Sequence, residues 1–303
     1  RDPNVILLGD DAGTGGAFRV TDGLLARYGA LRVFDAPVSE VAMVGAAAGA
    51  GHMGMRVVVE MPSADVAANA YGMLTNYVAS ARYGAFLSCP MVVRVPSGGA
   101  GGRPPHAASP EAAFVHTPGL KVVCPATAED AKGLMKAAIR DDDCVLFLEH
   151  ADLYHRIRGV MPERDHVVPI GKARVARDGG DVTVITYSAA LWKALEAAAA
   201  LALEGISAEV LDLRTLAPLD DDAIFTSVRT THRVLVVHED TRTGGLAGEI
   251  TARINEHAFE WLDGPVYRVT AADVPIPYAP TLEDYVLPQT ADIVKVARKL
   301  AAY

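Results

Sequence analysis

The chain has 303 residues, 50% of them hydrophobic and 21% charged, an ordinary globular balance with enough apolar mass for two cores at about 150 residues each. A net charge of -9 with no long basic run excludes a nucleic-acid backbone as partner, and no apolar run is long enough to cross a bilayer. The three cysteines, Cys89, Cys124 and Cys144, lack zinc-site spacing and read as buried free thiols of a reducing cytoplasm, and no stretch reads as a signal peptide.

In chain order, continuous Val/Ile/Leu runs at 5–8, 56–59, 91–95, 121–123 and 145–148 predict strands buried on both faces of a parallel sheet. Helices are predicted between them over 39–50, 64–83 and 128–140, with Ser39 as N-cap of the first and Pro37 just upstream. The pattern lapses over 154–177, where Gly159, Pro162 and Pro169 mark a connector. A second series follows: strands at 182–186, 208–211, 234–237 and 266–269, helices at 190–202, 221–230 and 245–257. Pro275, Pro277 and Pro280 then interrupt, and a helix over 291–301 closes the chain. The fold class is therefore α/β, with two doubly wound domains over 1–155 and 179–303 and a connector over 156–178.

Glu40 stands out chemically. With histidine neutral, it is the only charged residue between Asp35 and Arg56. An unpaired carboxylate is costly to bury as an anion, so it tends to hold or share a proton, which suits acid/base work or cofactor activation. The competing reading is an acid in the first helical turn, facing the macrodipole. The Gly-rich loop 97–106 ends in Pro104-Pro105-His106 and falls after a strand, where open α/β sheets gather ligands, although such loops also serve as connectors. His116 reads as structural. Asp10 and Asp11 follow the first strand; adjacent aspartates seldom face one ion, so an Asx-turn is favoured over a Mg²⁺ site. The segment 238–245, reading HEDTRTGG, is an anion site at a helix start or, better, a helix cap or subunit contact.

Taken together, VILLGDDAG, FRVTDGLLARYG, RVFDAPVSEVAMVGAAAG, PEAAFVHTPGLKVVCPATAEDAKGLMKAAIRDDD, ISAEVLDLRTLAPLD, VVHEDTRTGG and YRVTAADVPIPYAPTLEDYVLP resemble the β chain of the thiamine-diphosphate-dependent 2-oxo-acid dehydrogenases, over essentially the whole length. The resemblance implies a transketolase-like pyrimidine-binding domain followed by a transketolase C-terminal-like domain. It matches Glu40 to the glutamate that hydrogen-bonds the cofactor's aminopyrimidine and favours the imino tautomer that deprotonates the thiazolium carbon. It matches His106 to a histidine that faces substrate, and sets Asp10, Ser63 and Val66 beside the cofactor. No Gly-Asp-Gly segment with a following Asn is present, so the resemblance implies an α subunit that brings the diphosphate half and Mg²⁺ in an α2β2 assembly, with no metal ligand from this chain.

Several positions depart from that pattern. Ser63 and Val66 stand where aromatic residues are usual, a loss worth roughly 0.5–1.5 kcal/mol beyond burial, with Met61 or Tyr71 as candidate substitutes. Asp10 replaces a glutamate, Ala107 and Ala108 replace polar neighbours of His106, and His150-Ala151 replaces a Pro-Lys pair. The leading expectation is a β subunit passing an acyl or ketol unit from a 2-oxo acid or ketose to a lipoyl or acyl-carrier thiol. A dehydrogenase–transketolase hybrid moving a two-carbon ketol unit from a sugar phosphate to a carrier protein is the second, and a non-catalytic scaffold subunit the third.

Overall fold

The computed structural model describes residues 2–99, 109–163 and 165–303. Among them the chain forms two compact units, one of residues 2–97, 113–123 and 127–170, the other of 98–99, 109–112, 124–126 and 171–303.

The first unit contributes β1 (Val5–Gly9), β2 (Val33–Asp35), β3 (Arg56–Glu60), β4 (Met91–Ser97), β5 (Lys121–Val123) and β6 (Val145–His150), in the spatial order β5-β6-β4-β3-β1-β2 and parallel throughout. β4 is buried along its whole length, Arg94 included, as a run that is apolar over 91–95 but for Arg94 requires when helices cover both faces. The helix Ala128–Arg140 buries Leu134 and Ala138 against Val58, Val92, Val123, Val145 and Phe147. Thr127 starts it by accepting the Asp130 N–H on its side-chain oxygen at 3.1 Å.

The second unit holds β7 (Arg174–Arg177), β8 (Val182–Thr186), β9 (Ala208–Asp212), the short β10 (Thr215–Ala217), β11 (Val234–Thr241) and β12 (Tyr267–Ala271). Five of them form a sheet in the order β12-β11-β8-β9-β7. β7 runs antiparallel to β9, so the sheet is mixed rather than purely parallel. The helices Ala190–Leu203 and Thr290–Leu300 share one apolar cluster with it, including Leu191, Leu201, Ile293 and Leu300, each worth about 1.5–3 kcal/mol when fully buried.

Three strands escape the sequence pattern. β2 and β10 are only three residues long, and β7 reads Arg-Val-Ala-Arg inside the expected connector. The single helix expected over 64–83 is also corrected: it breaks into an α-turn Ala64–Ala67, a 3-10 turn Ala68–Ala70, a π-helical stretch Met73–Val78 and a last α-turn Ala81–Ala85. The backbone stays right-handed helical at the joints Ala67, Tyr71, Gly72 and Ala79; what changes along the segment is the hydrogen-bond step, from four residues to three and then to five.

Candidate functional site

β2 ends at Asp35 and the chain turns through Pro37 into the helix Glu40–His52, whose first turn therefore stands on the carboxyl side of the sheet. Ser39 occupies the N-cap in extended geometry, but its side chain makes no capping bond. Glu40 is the first helical residue and is buried, 8% exposed, in an otherwise apolar helix. Asn69, in the 3-10 turn Ala68–Ala70, donates its Nδ2–H to Glu40 Oε2 at 3.3 Å. Among the described residues that is the hydrogen bond the carboxyl makes; Oε1 is left open.

Asp10 belongs to the same cluster. Burial, then the carboxylates of Asp11, Glu40 and Asp35, push its carboxyl above the usual range. The turn beyond it is built on backbone bonds: Asp11 is left-handed (φ 54) and its carbonyl accepts from Thr14 N–H and Gly16 N–H, while Asp35 Oδ1 accepts Gly13 N–H at 2.6 Å. No group of three His, Cys, Asp or Glu side chains is placed to hold a metal among the described residues.

Ser63 is buried at the N-cap position of the short helix Ala64–Ala67 without a capping bond, its hydroxyl donating to Asp65 Oδ1; Val66 lies half-buried in that helix. Met61 is sealed in the core at 0% exposure and has no surface to offer an incoming ring. Tyr71 keeps 38% of its surface, with its hydroxyl on the Ala113 carbonyl and its ring 5.6 Å from that of Phe114. His106 lies outside the described residues. His116 is exposed.

Sequence reasoning missed a buried ionic network under the Asp10 turn. Strand register sets Gly9 beside Glu60 and Glu60 beside Arg94. Arg94 pairs with Glu60 at 3.0 Å and with Glu149, and donates to Tyr154 Oη at 2.6 Å; Tyr154 in turn donates to Glu149 at 2.9 Å. Burial raises the proton affinity of both carboxyls, and the shared guanidinium pulls it back down. A Cβ on Gly16 would sit 2.0 Å from Glu60 Oε1, so only glycine lets the turn rest on this carboxylate.

In the second unit, His238 ends the buried part of β11, and its Nε2 accepts the Ala247 N–H at 3.1 Å. The imidazole thus caps the helix Leu246–His257, with Gly245 leaving room for it: a Cβ there would meet His238 Cε1 at 2.8 Å. Burial holds the ring neutral, its pKa lowered to about 4. Glu111, buried near Asp240, is the opposite case: burial and then Asp240 raise its carboxyl to about 8. In the unfolded chain the histidine takes a proton below about pH 6.5, so stability falls as pH drops from there to about 4. His238→Gln keeps an acceptor without the titration. Urea titrations of this variant are expected to show that part of the acid limb flattened; a limb identical to wild type would remove His238 as its source.

A parallel α/β sheet with a buried, half-satisfied carboxyl at its carboxyl edge is the setting in which open α/β proteins hold their ligands. The chain belongs to the transketolase-like family: "Transketolase, pyrimidine binding domain" matches residues 1–156 and "Transketolase, C-terminal domain" residues 171–293. That makes it a member of a thiamine-diphosphate-dependent enzyme family. It is 46% identical to the 2-oxoisovalerate dehydrogenase subunit beta of Bacillus subtilis (strain 168), over 100% of this chain and 94% of that one. It is 43% identical to the pyruvate dehydrogenase E1 component subunit beta-2, mitochondrial, of Oryza sativa subsp. japonica, over 98% and 81%. Against the acetoin:2,6-dichlorophenolindophenol oxidoreductase subunit beta of Cupriavidus necator it is 43% identical over 99% and 92%. A split-gene transketolase solved as an inactive beta4 tetramer shares the fold, with a TM-score of 0.82 at 24% identity over 99% of this chain and 93% of that one.

Proposed function

We propose that this chain is the β subunit of a heteromeric enzyme that moves an acyl or ketol unit from a 2-oxo acid or ketose to a carrier thiol. An α subunit brings the diphosphate-binding half and Mg²⁺ and completes an α2β2 assembly, and a lipoyl or acyl-carrier domain receives the product. The relatives named above are beta subunits of oxo-acid and acetoin enzymes. The three described cysteines are free and buried, which suits a reducing, cytoplasmic setting.

The observation that carries this reading is the Glu40 carboxyl, with Oε2 engaged by Asn69 and Oε1 open. That donor set fits the ring nitrogen of an aminopyrimidine, which needs one carboxyl oxygen to share a proton. Thiamine diphosphate, when bound, supplies a carbon nucleophile and an electron sink. Glu40 holds the shared proton at Oε1, Asp10 adds a neighbouring carboxyl, and Ser63, Val66 and Tyr71 offer the ring a smaller wall than two aromatics would. The family resemblance assigns His106 to acyl transfer.

The test is reconstitution with the α subunit. Calorimetric titration of thiamine diphosphate with Mg²⁺ is expected to show tight binding, and 2-oxo acids to turn over with a lipoyl acceptor. Turnover of ketose phosphates instead would favour the ketol-transferring hybrid. No binding to the assembled pair would leave only the scaffold role.

A further inference from the structure

Glu40 can share a proton through either oxygen unless something distinguishes them. Asn69 does so. Its amide Nδ2–H reaches Glu40 Oε2 at 3.3 Å, and an amide N–H can only donate, so Oε2 must be the unprotonated, accepting oxygen. The proton is then confined to Oε1, which among the described residues has no partner. The contact spans 29 positions of sequence and is made from the 3-10 turn Ala68–Ala70, the place where the expected long helix breaks. A regular helix through 64–83 would carry its residues on a different rise and twist. The turn therefore delivers the donor. The charged group coupled to Glu40 is the Asp10 carboxyl, itself beside Asp11 and Asp35, and ionised carboxylates only accept. Asn69 is the neutral donor among acceptors.

We infer that Asn69 is a positioning residue that dictates which Glu40 oxygen carries the shared proton. The inference rests on the proposed function, and it assigns a role to a residue outside the segments that carry the family resemblance. It touches Glu40 and not the reacting atoms, so it acts through that carboxyl. Asn69 is itself exposed, so its replacement leaves the core intact.

Asn69→Asp swaps the donor for an acceptor at nearly constant shape, and Asn69→Ala removes it. Both should be made in the chain assembled with its α subunit. Calorimetry is expected to show thiamine diphosphate still bound, within about fivefold of wild type, since a single hydrogen bond made to another protein group is lost. The near-ultraviolet circular-dichroism signal of the bound aminopyrimidine should change, because the donor that fixes which Glu40 oxygen accepts is gone. kcat should fall about 10–100-fold with KM nearly unchanged, and Asn69→Gln should restore part of it. Wild-type spectra and kcat in Asn69→Asp would overturn the inference, because the amide oxygen, not its N–H, would then face Glu40. Failure of the wild-type assembly to bind thiamine diphosphate would instead overturn the proposed function, so the two outcomes separate.

Discussion

Glu40→Gln is expected to lower kcat of the assembled enzyme by about 10²–10⁴-fold, the range typical of a lost acid/base group. The substitution keeps the shape and both hydrogen-bonding positions. Asn69 donates to Oε2 of Glu40 at 3.3 Å, so in the variant it would select the amide oxygen and turn the amide NH2 toward the open side. That group donates but does not release a proton near neutral pH. Cofactor binding should weaken modestly while turnover collapses. Loss of stability does not explain such a result. Glu40 is the first residue of its helix, and losing an acid there costs about 0.3–1 kcal/mol, whereas the expected rate loss corresponds to roughly 3–5 kcal/mol. Steady-state kinetics at saturating cofactor, with a urea titration of the same preparation, check both sides. A kcat within threefold of wild type would take proton handling away from Glu40.

Much of this arrangement is legible in the sequence, and the rest is hidden for identifiable reasons. The runs at 91–95 and 145–148 announce buried parallel strands because nothing polar except Arg94 interrupts them. Glu40 is conspicuous because its neighbours carry no charge. The whole-chain resemblance supplies the family and the expectation of a partner. Asn69 is invisible by contrast, since its contact with Glu40 joins residues 29 positions apart and forms only once the helix Glu40–His52 and the 3-10 turn Ala68–Ala70 are both in place. The pairing of Arg94 with Glu60 and Glu149 is hidden for a similar reason. Three residues on three different strands meet only once the register of β1, β3, β4 and β6 is fixed. Periodicity detects faces, not register, so an arginine inside an apolar run reads as an anomaly rather than as a hub.

That hub carries the largest expected effect on stability. Arg94→Met should destabilise the chain by about 3–5 kcal/mol, the cost of leaving buried partners without their counter-charge. The side chains of Arg94 and Glu60 are each 5% exposed and that of Glu149 is 13%, so water does not replace the guanidinium. A surface ion pair would be worth only about 0–1 kcal/mol, and urea titrations distinguish the two cases directly. The pH dependence has a definite sign. Burial already raises both carboxyls above their ordinary values; Arg94 pulls both back down, with the Tyr154 hydrogen bond helping at Glu149. Without Arg94 their folded-state affinity for protons rises further, so the deficit should be greatest near neutrality and shrink as acid neutralises them. Adding Glu60→Gln and Glu149→Gln to Arg94→Met should recover much of the loss, because the penalty lies in uncompensated charge and not in the missing pair itself. The site should feel the same change. The Gly16 backbone rests on Glu60 Oε1, and the turn it belongs to begins at Asp10, beside Glu40. An Arg94→Met chain that still folds should therefore bind thiamine diphosphate more weakly, although Arg94 itself is buried.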